Sequence, residues 1–262
     1  MNVSLSGKKA LVCGSTQGIG WATALVFAEL GADVTLVARN ENKLKENLKI
    51  LENKFPGKHA YLVADFSKPD ELRAEISSHI HAGNQYHILV NNTGGPPAGP
   101  AHTAETTSYL QAFSQHLVCN QILVQNLLPG MKEMGYGRIV NVISTSVKIP
   151  LNNLGVSNTV RGAVASWSKT LANELGGFGI TVNNVLPGAT ETSRLENIID
   201  NKSEKTGKSK EEVSQSMTSA VPAGRFGKPE EIANAIAFLA GPSASYINGV
   251  SIPVDGGRTG SL

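Results

Sequence analysis

Residues 10–30 read Ala-Leu-Val-Cys-Gly-Ser-Thr-Gln-Gly-Ile-Gly-Trp-Ala-Thr-Ala-Leu-Val-Phe-Ala-Glu-Leu: a short apolar run, a glycine-rich turn, then a helical pattern. The run 10–13 is too short for a signal-peptide core and has the length of a strand buried on both faces. In Gly14-Ser15-Thr16-Gln17-Gly18-Ile19-Gly20, glycine tolerates positive φ and removes the Cβ that would keep a phosphate off the backbone. The helix opening behind it presents free N–H groups and the positive end of its dipole to an anion. A glycine cluster alone is a weak signal. Its place between a first strand and a first helix is what makes it informative.

Outward from this unit the same rhythm repeats. Apolar runs return at 34–37, 61–64, 88–91, 139–143, 180–185 and 250–254. They are nearly continuous rather than alternating, as in a parallel sheet covered on both sides. The stretches 20–30, 42–53, 71–81, 108–134, 154–175 and 229–240 predict helices. Such alternation predicts the α/β class, a Rossmann-type doubly wound seven-stranded parallel sheet in a single domain, with its ligand beyond the carboxyl ends of the strands. Residues 189–222, long, polar and directly after the sixth strand, break the rhythm. They read as a substrate-covering loop with a short helix, or as an exposed insertion without a role.

Composition narrows the function. The chain has 262 residues, 23 basic against 21 acidic, for a net charge of +2. Without a block of like charges, neither nucleic acid nor an anionic membrane is an expected partner. Cys13 and Cys119 show no metal or redox spacing and read as reduced, buried thiols, which favours a cytoplasmic setting. His79 and His81 diverge on a helix, so no metal pair is indicated. Trp21 and Trp167 read as packing residues, and Asn152, Asn153 and Asn158 as turn and helix-start residues.

The three residues between the first two glycines resemble the short-chain dehydrogenase/reductase family, and further marks follow in order. Asp65, followed by Phe66, matches that family's adenine-contacting acid, and Asn91-Asn92-Thr93-Gly94 resembles its Asn-Asn-Ala-Gly motif. Ser144 follows Gly137-Arg138-Ile139-Val140-Asn141, and Pro187-Gly188 with Thr192 resembles the loop that meets the nicotinamide carboxamide. Residues 171–175, 224–227 and 254–257 match later family patterns. The nearest branch is 3-oxoacyl-acyl-carrier-protein reductase. The resemblance implies a dinucleotide cofactor, a carbonyl or alcohol substrate such as an acyl thioester, and a homotetramer or dimer built on helices 108–134 and 154–175.

An NAD-specific site places an acid after the second strand, at the ribose 2′-hydroxyl. Here stand Ala38 and Arg39. A guanidinium grips a 2′-phosphate, so NADP(H) is preferred and NAD(H) stays possible. Arg39 reads alternatively as a solvated arginine capping the strand.

The resemblance also implies a catalytic serine, tyrosine, lysine and asparagine. Ser144 keeps the serine, while Ser157 falls at the tyrosine position, Arg161 at the lysine and His116 at the asparagine. A phenol titrates at about pH 10, and a serine hydroxyl is a much weaker acid. Losing a positioned acid costs roughly 10²–10⁴-fold in rate. His116 is the candidate substitute, since imidazole titrates at about 6.5, although a lone histidine on a helix is more often a structural hydrogen-bonding residue. Three functions follow: an NADP(H)-dependent oxidoreductase with an altered acid; a nucleotide-binding sensor or partner subunit that is catalytically weak; or, as the weakest, a non-redox reaction on an anionic substrate recognised by Arg161.

Overall fold

A computed structural model describes residues 1–261. The seven expected strands form: β1 (Lys9–Cys13), β2 (Asp33–Ala38), β3 (Ala60–Val63), β4 (Ile88–Asn91), β5 (Gly137–Val142), β6 (Ile180–Pro187) and β7 (Ser251–Val254). All pair in parallel, in the order β3-β2-β1-β4-β5-β6-β7. Successive side chains of a strand point to opposite faces, and β1 displays this cleanly. Ala10 and Val12 join Val34, Leu36, Ile88 and Val90 in one apolar layer. Leu11 and Cys13 join Val37, Leu89 and Ile139 in the other.

Helices cover both layers. On the first face pack Phe27 of α1 (Gly18–Glu29), Leu44 and Leu51 of α2 (Glu41–Lys54), and Ile232 and Ile236 of the last helix, Pro229–Ala240. On the second lie Leu72 and Ile76 of α3 (Pro69–His81) with Ile122, Leu123 and Leu127 from the 119–133 region. Among the described residues no helix is long and apolar enough to cross a membrane, and none of their His, Cys, Asp and Glu side chains cluster as a metal site.

Two expectations are corrected. Residues 108–134 do not form one continuous helix but α4 (Thr106–Phe113), a π turn (Ser114–Val118) and α5 (Cys119–Glu133). The π turn reconciles two packing demands: Ala112 sits against Val156 and Val160, whereas Cys119 and Ile122 belong to the sheet layer. The segment 189–222 holds two helices rather than one short one, α7 (Ser193–Thr206) and α8 (Lys210–Thr218). Thr192 caps the first, Gly207 ends it in a left-handed conformation, and Ser209 with Glu212 forms a reciprocal capping box for the second. The remaining α-helices are α6 (Gly155–Leu175) and α9 (Pro229–Ala240).

A buried amide ladder ties the right half of the sheet. Asn91 donates to Asn141 at 2.8 Å, Asn141 to Asn184 at 3.0 Å and to Ser168 at 3.2 Å, and Asn184 to Ser251 at 3.0 Å. Asn141 has no exposed surface, so removing its amide strands the Asn91 donor and the Asn184 acceptor in the interior. Asn141→Ala is expected to cost about 3 kcal/mol, the sum of two buried unsatisfied groups. Urea denaturation measures it, and a loss below about 1 kcal/mol would show that the ladder relaxes around the gap.

Candidate active site

The sheet reverses its winding between β1 and β4, and a cleft of 740 Å³ opens beyond the carboxyl ends of the strands there. Its floor is the glycine turn. Gly14 has φ +61°, and a Cβ on it would fall 2.6 Å from the Asn92 carbonyl oxygen. Gly20 sits against the Gly14 carbonyl so tightly that a Cβ there would collide with it. Asn92 donates its amide to the carbonyls of Cys13 and Gly14, and Asn47 of α2 donates to those of Ser15 and Thr16. Ser15 is fully buried, its hydroxyl accepting from Val37 N at 2.9 Å and pinning the turn to β2. Gln17 leaves the start of α1 without a side-chain cap, so the helix's first N–H groups remain for an anion.

At one end of the cleft stand Ala38, Arg39, Asn40, Lys43, Asp65, Phe66 and Ser67. Arg39 is exposed and forms no side-chain bond within the protein among the described residues. Asp65 accepts from the backbone and hydroxyl of Ser67, which holds its carboxyl below the usual carboxylate range, with Arg39 and Lys68 adding to the effect. At the other end stand Asn92, Thr93, Gly94, Gly95, Gln115, Thr192, Ser193 and Arg194. The start of α7 is clasped over this end. Arg194 donates to the carbonyls of Gly95 at 2.9 Å and Pro96 at 3.3 Å, and Gln17 donates to Ser193.

Of the residues expected from sequence to meet the cofactor, Gly14, Thr16, Gln17, Gly18, Ile19, Arg39, Asp65, Phe66, Asn92, Thr93, Gly94 and Thr192 line the cleft. Ser15, Gly20, Pro187 and Gly188 do not: the first two build the turn, and Gly188 closes β6 onto β7 through Val254 O at 3.0 Å.

Behind Thr93 lies the second group of candidates. Thr93 Oγ1 and His116 Nδ1 share a hydrogen bond of 2.8 Å, and His116 Nε2 is sealed without a partner. Burial, then the charges of Arg161 and Arg194, pull the His116 pKa down to about 3. His116 is therefore neutral at physiological pH, which corrects its reading as an acid titrating at the ordinary value. Arg161 is 8% exposed and donates to Val142 O at 3.0 Å. Burial and Arg194 push its pKa down to about 10, still charged at neutral pH. Ser157 is buried in the first turn of α6, and Ser144 follows β5, its hydroxyl accepting from Ser146 N. Helix α6 contains no tyrosine, and its single lysine, Lys169, lies far along it.

Sequence reasoning missed Arg194, Lys43 and Gln115. Lys43 was accessible as the second cation after β2, in the first turn of α2. Arg194 carried only its proximity to Thr192, since its partners lie on a distant loop.

The sequence model of the family described as Enoyl-(Acyl carrier protein) reductase matches residues 14–259. A tropinone reductase homolog of Arabidopsis thaliana is 34% identical over 98% of this chain and 77% of its own length. The 3-oxoacyl-[acyl-carrier-protein] reductase of Vibrio cholerae is 32% identical over 97% of this chain and 98% of its own. The crystal structure of L-sorbose reductase from Gluconobacter frateurii, complexed with NADPH and L-sorbose, superposes with a TM-score of 0.94 at 32% identity, covering 100% of both chains.

The state of His116 has a consequence for stability. The unfolded chain takes up this proton at about pH 6.5, whereas the folded chain resists until about pH 3. The destabilisation grows as pH falls below 6.5, reaching about 2 kcal/mol by pH 5. His116→Gln is expected to remove that share of the acid sensitivity, read as a smaller loss of unfolding free energy between pH 7 and pH 5. Equal losses in both proteins would place the proton elsewhere.

Proposed function

This chain belongs to the short-chain dehydrogenase/reductase family, and on that premise we propose that it is an NADP(H)-dependent oxidoreductase that reduces a ketone or oxidises an alcohol. The observation that carries the reading is Arg39: an exposed guanidinium without a partner, at the cleft end where an adenosine ribose would lie, with no acid at the end of β2 itself. The glycine turn fits a dinucleotide on physical grounds as well, because Gly14 leaves no room for a side chain and the start of α1 is uncapped. NADP(H) held there supplies or accepts the hydride. The pyrophosphate would rest on Thr16, Gln17, Gly18 and Ile19, and the 2′-phosphate on Arg39 with Lys43 and Asn40 beside it. NAD(H) remains a poorer alternative for the same site.

In this reading the Ser144 hydroxyl donates to the substrate's carbonyl oxygen, and Ser157 and Arg161 stand at the positions of the family's tyrosine and lysine. Ser157 adds a second hydroxyl beside the reacting oxygen. Its weak acidity makes turnover slow unless a proton reaches that oxygen by another route. His116, neutral and bonded to Thr93, acts as a hydrogen-bonding partner rather than as an imidazolium acid. The segment 189–222 acts as a lid, with Arg194 fastening it over Gly95 and Pro96. The relatives' names cover an acyl-carrier-protein thioester and a ketose, both carbonyl compounds. A second reading, a nucleotide-binding subunit without turnover, draws on the absence of tyrosine from α6.

Fluorescence titration separates these readings from failure of the cofactor site. NADPH is expected to bind at least about tenfold more tightly than NADH, and Arg39→Ala to remove that margin while leaving NADH unchanged. Equal binding of both nucleotides would remove Arg39 from the site. With any carbonyl substrate that is turned over, Ser144→Ala is expected to lower kcat by about 10²-fold, the loss of one donor to the reacting oxygen. An unchanged kcat would defeat the assignment of Ser144, and binding without turnover across a broad carbonyl panel would favour the second reading.

A further inference from the structure

Arg161 is a buried charge without a counter-ion. Only its Nη1 is engaged, on a backbone carbonyl, and none of the ion pairs among the described residues includes it. Interiors pair a buried charge or neutralise it. A guanidinium does not take the second route at physiological pH. Its Nε and Nη2 have no protein partner among the described residues, yet they are not among the sealed polar atoms, so the free side of the fork still meets open space.

Two further groups lie near enough to feel its charge: Arg194 at the start of α7, and the neutral ring of His116 in the π turn. His116 Nε2 is buried and unpartnered. In the tautomer in which Thr93 donates to Nδ1, Nε2 carries the proton and is a donor. Two cations are thus brought together beside a neutral ring, and no acidic side chain bonds to any of the three among the described residues.

We infer that the substrate carries a carboxylate, and that Arg161 holds it, with Arg194 adding a second positive charge nearby. This rests on the oxidoreductase reading, in which Ser144 and Ser157 take the reacting oxygen. The substrate is then an oxo acid or hydroxy acid rather than a neutral ketone, and Arg161 is a specificity residue rather than a substitute lysine. A planar fork suits a planar carboxylate, and a single charge costs less to desolvate here than a phosphate dianion. A recess of 160 Å³ lined by Pro96, Pro97, Ala104 and Val156, the residue before Ser157, offers room for a small branched apolar group.

The probe follows from that recess: 3-methyl-2-oxobutanoate and its methyl ester, titrated against the full-length protein with and without saturating NADPH, binding being read by thermal shift and tryptophan fluorescence. The acid is expected to bind at least about tenfold more tightly than the ester. Arg161→Gln is expected to bring the two within about twofold, and Arg161→Lys, which keeps the charge but loses the fork, to fall between. Arg194→Gln is expected to narrow the gap without closing it. Equal binding of acid and ester to the wild-type protein, or no binding of the acid at millimolar concentration, overturns the inference. So does a gap that survives Arg161→Gln, or a preference for dihydroxyacetone phosphate over the oxo acid. The two proposals fail separately: loss of NADPH binding with the acid preference intact sinks the oxidoreductase reading alone, whereas NADPH binding without that preference sinks only the carboxylate.

Discussion

Three stretches of backbone meet at Gly14, and the rest of the site is built on that meeting. The end of β1, the start of α1 and the end of β4 approach closely enough that neither Gly14 nor Gly20 has room for a Cβ, and the Asn92 amide bonds to both carbonyls at the crossing. Close approach here fixes where the sheet reverses direction and where the first helix starts. The helix start then fixes which backbone donors face the cleft. Ser15 and Asn47 hold the same turn from β2 and α2, so the anion-facing backbone is rigid before any ligand arrives, which lowers the ordering cost of binding one.

Charge is distributed unevenly around that frame. The net charge of +2 conceals it, because the acids that do form ion pairs do so on the surface, Glu41 with Lys45 and Glu231 with Arg225 among them. Such exposed pairs contribute little to stability. Along the cleft and behind it stand Arg39, Lys43, Arg194 and Arg161, and of these only Lys43 has an acidic partner, Glu46. The fold carries the cost of the unpaired cations against its amide ladder and its two apolar layers. The two thiols take no part: burial raises the pKa of both Cys13 and Cys119, leaving them as protonated packing groups.

The strands were legible because a sheet covered on both faces writes its burial into local composition: 10–13 and 88–90 are apolar without alternation and hold no buried charge. The glycine turn was legible because its need for missing side chains is local as well. Other features depend on partners far away in the chain. The π turn at 114–118 answers to two different packing surfaces, so a 3.6-residue period through 108–134 could not reveal it. The capping box Ser209–Glu212 was written in the sequence, but the polarity around it read as loop. The protonation state of His116 is set by burial and by arginines on α6 and α7, none of which a motif encodes. Arg194 binds carbonyl oxygens, which every residue has, so no complementary residue type betrayed its target.

The π turn also sets a phase. A residue inserted into an α-helix rotates everything beyond it by about 100°, so α4 and α5 share a rod yet point their apolar stripes in different directions. Deleting one residue between Phe113 and Cys119 would straighten the rod and force a choice. If α5 kept its seat on the sheet, Ala112 would swing off Val156 and Val160; if α4 kept its seat, Cys119 and Ile122 would leave the core. His116 sits inside the surplus turn, so its alignment with Thr93 is a matter of counting: the chain holds that contact by residue number as much as by residue type.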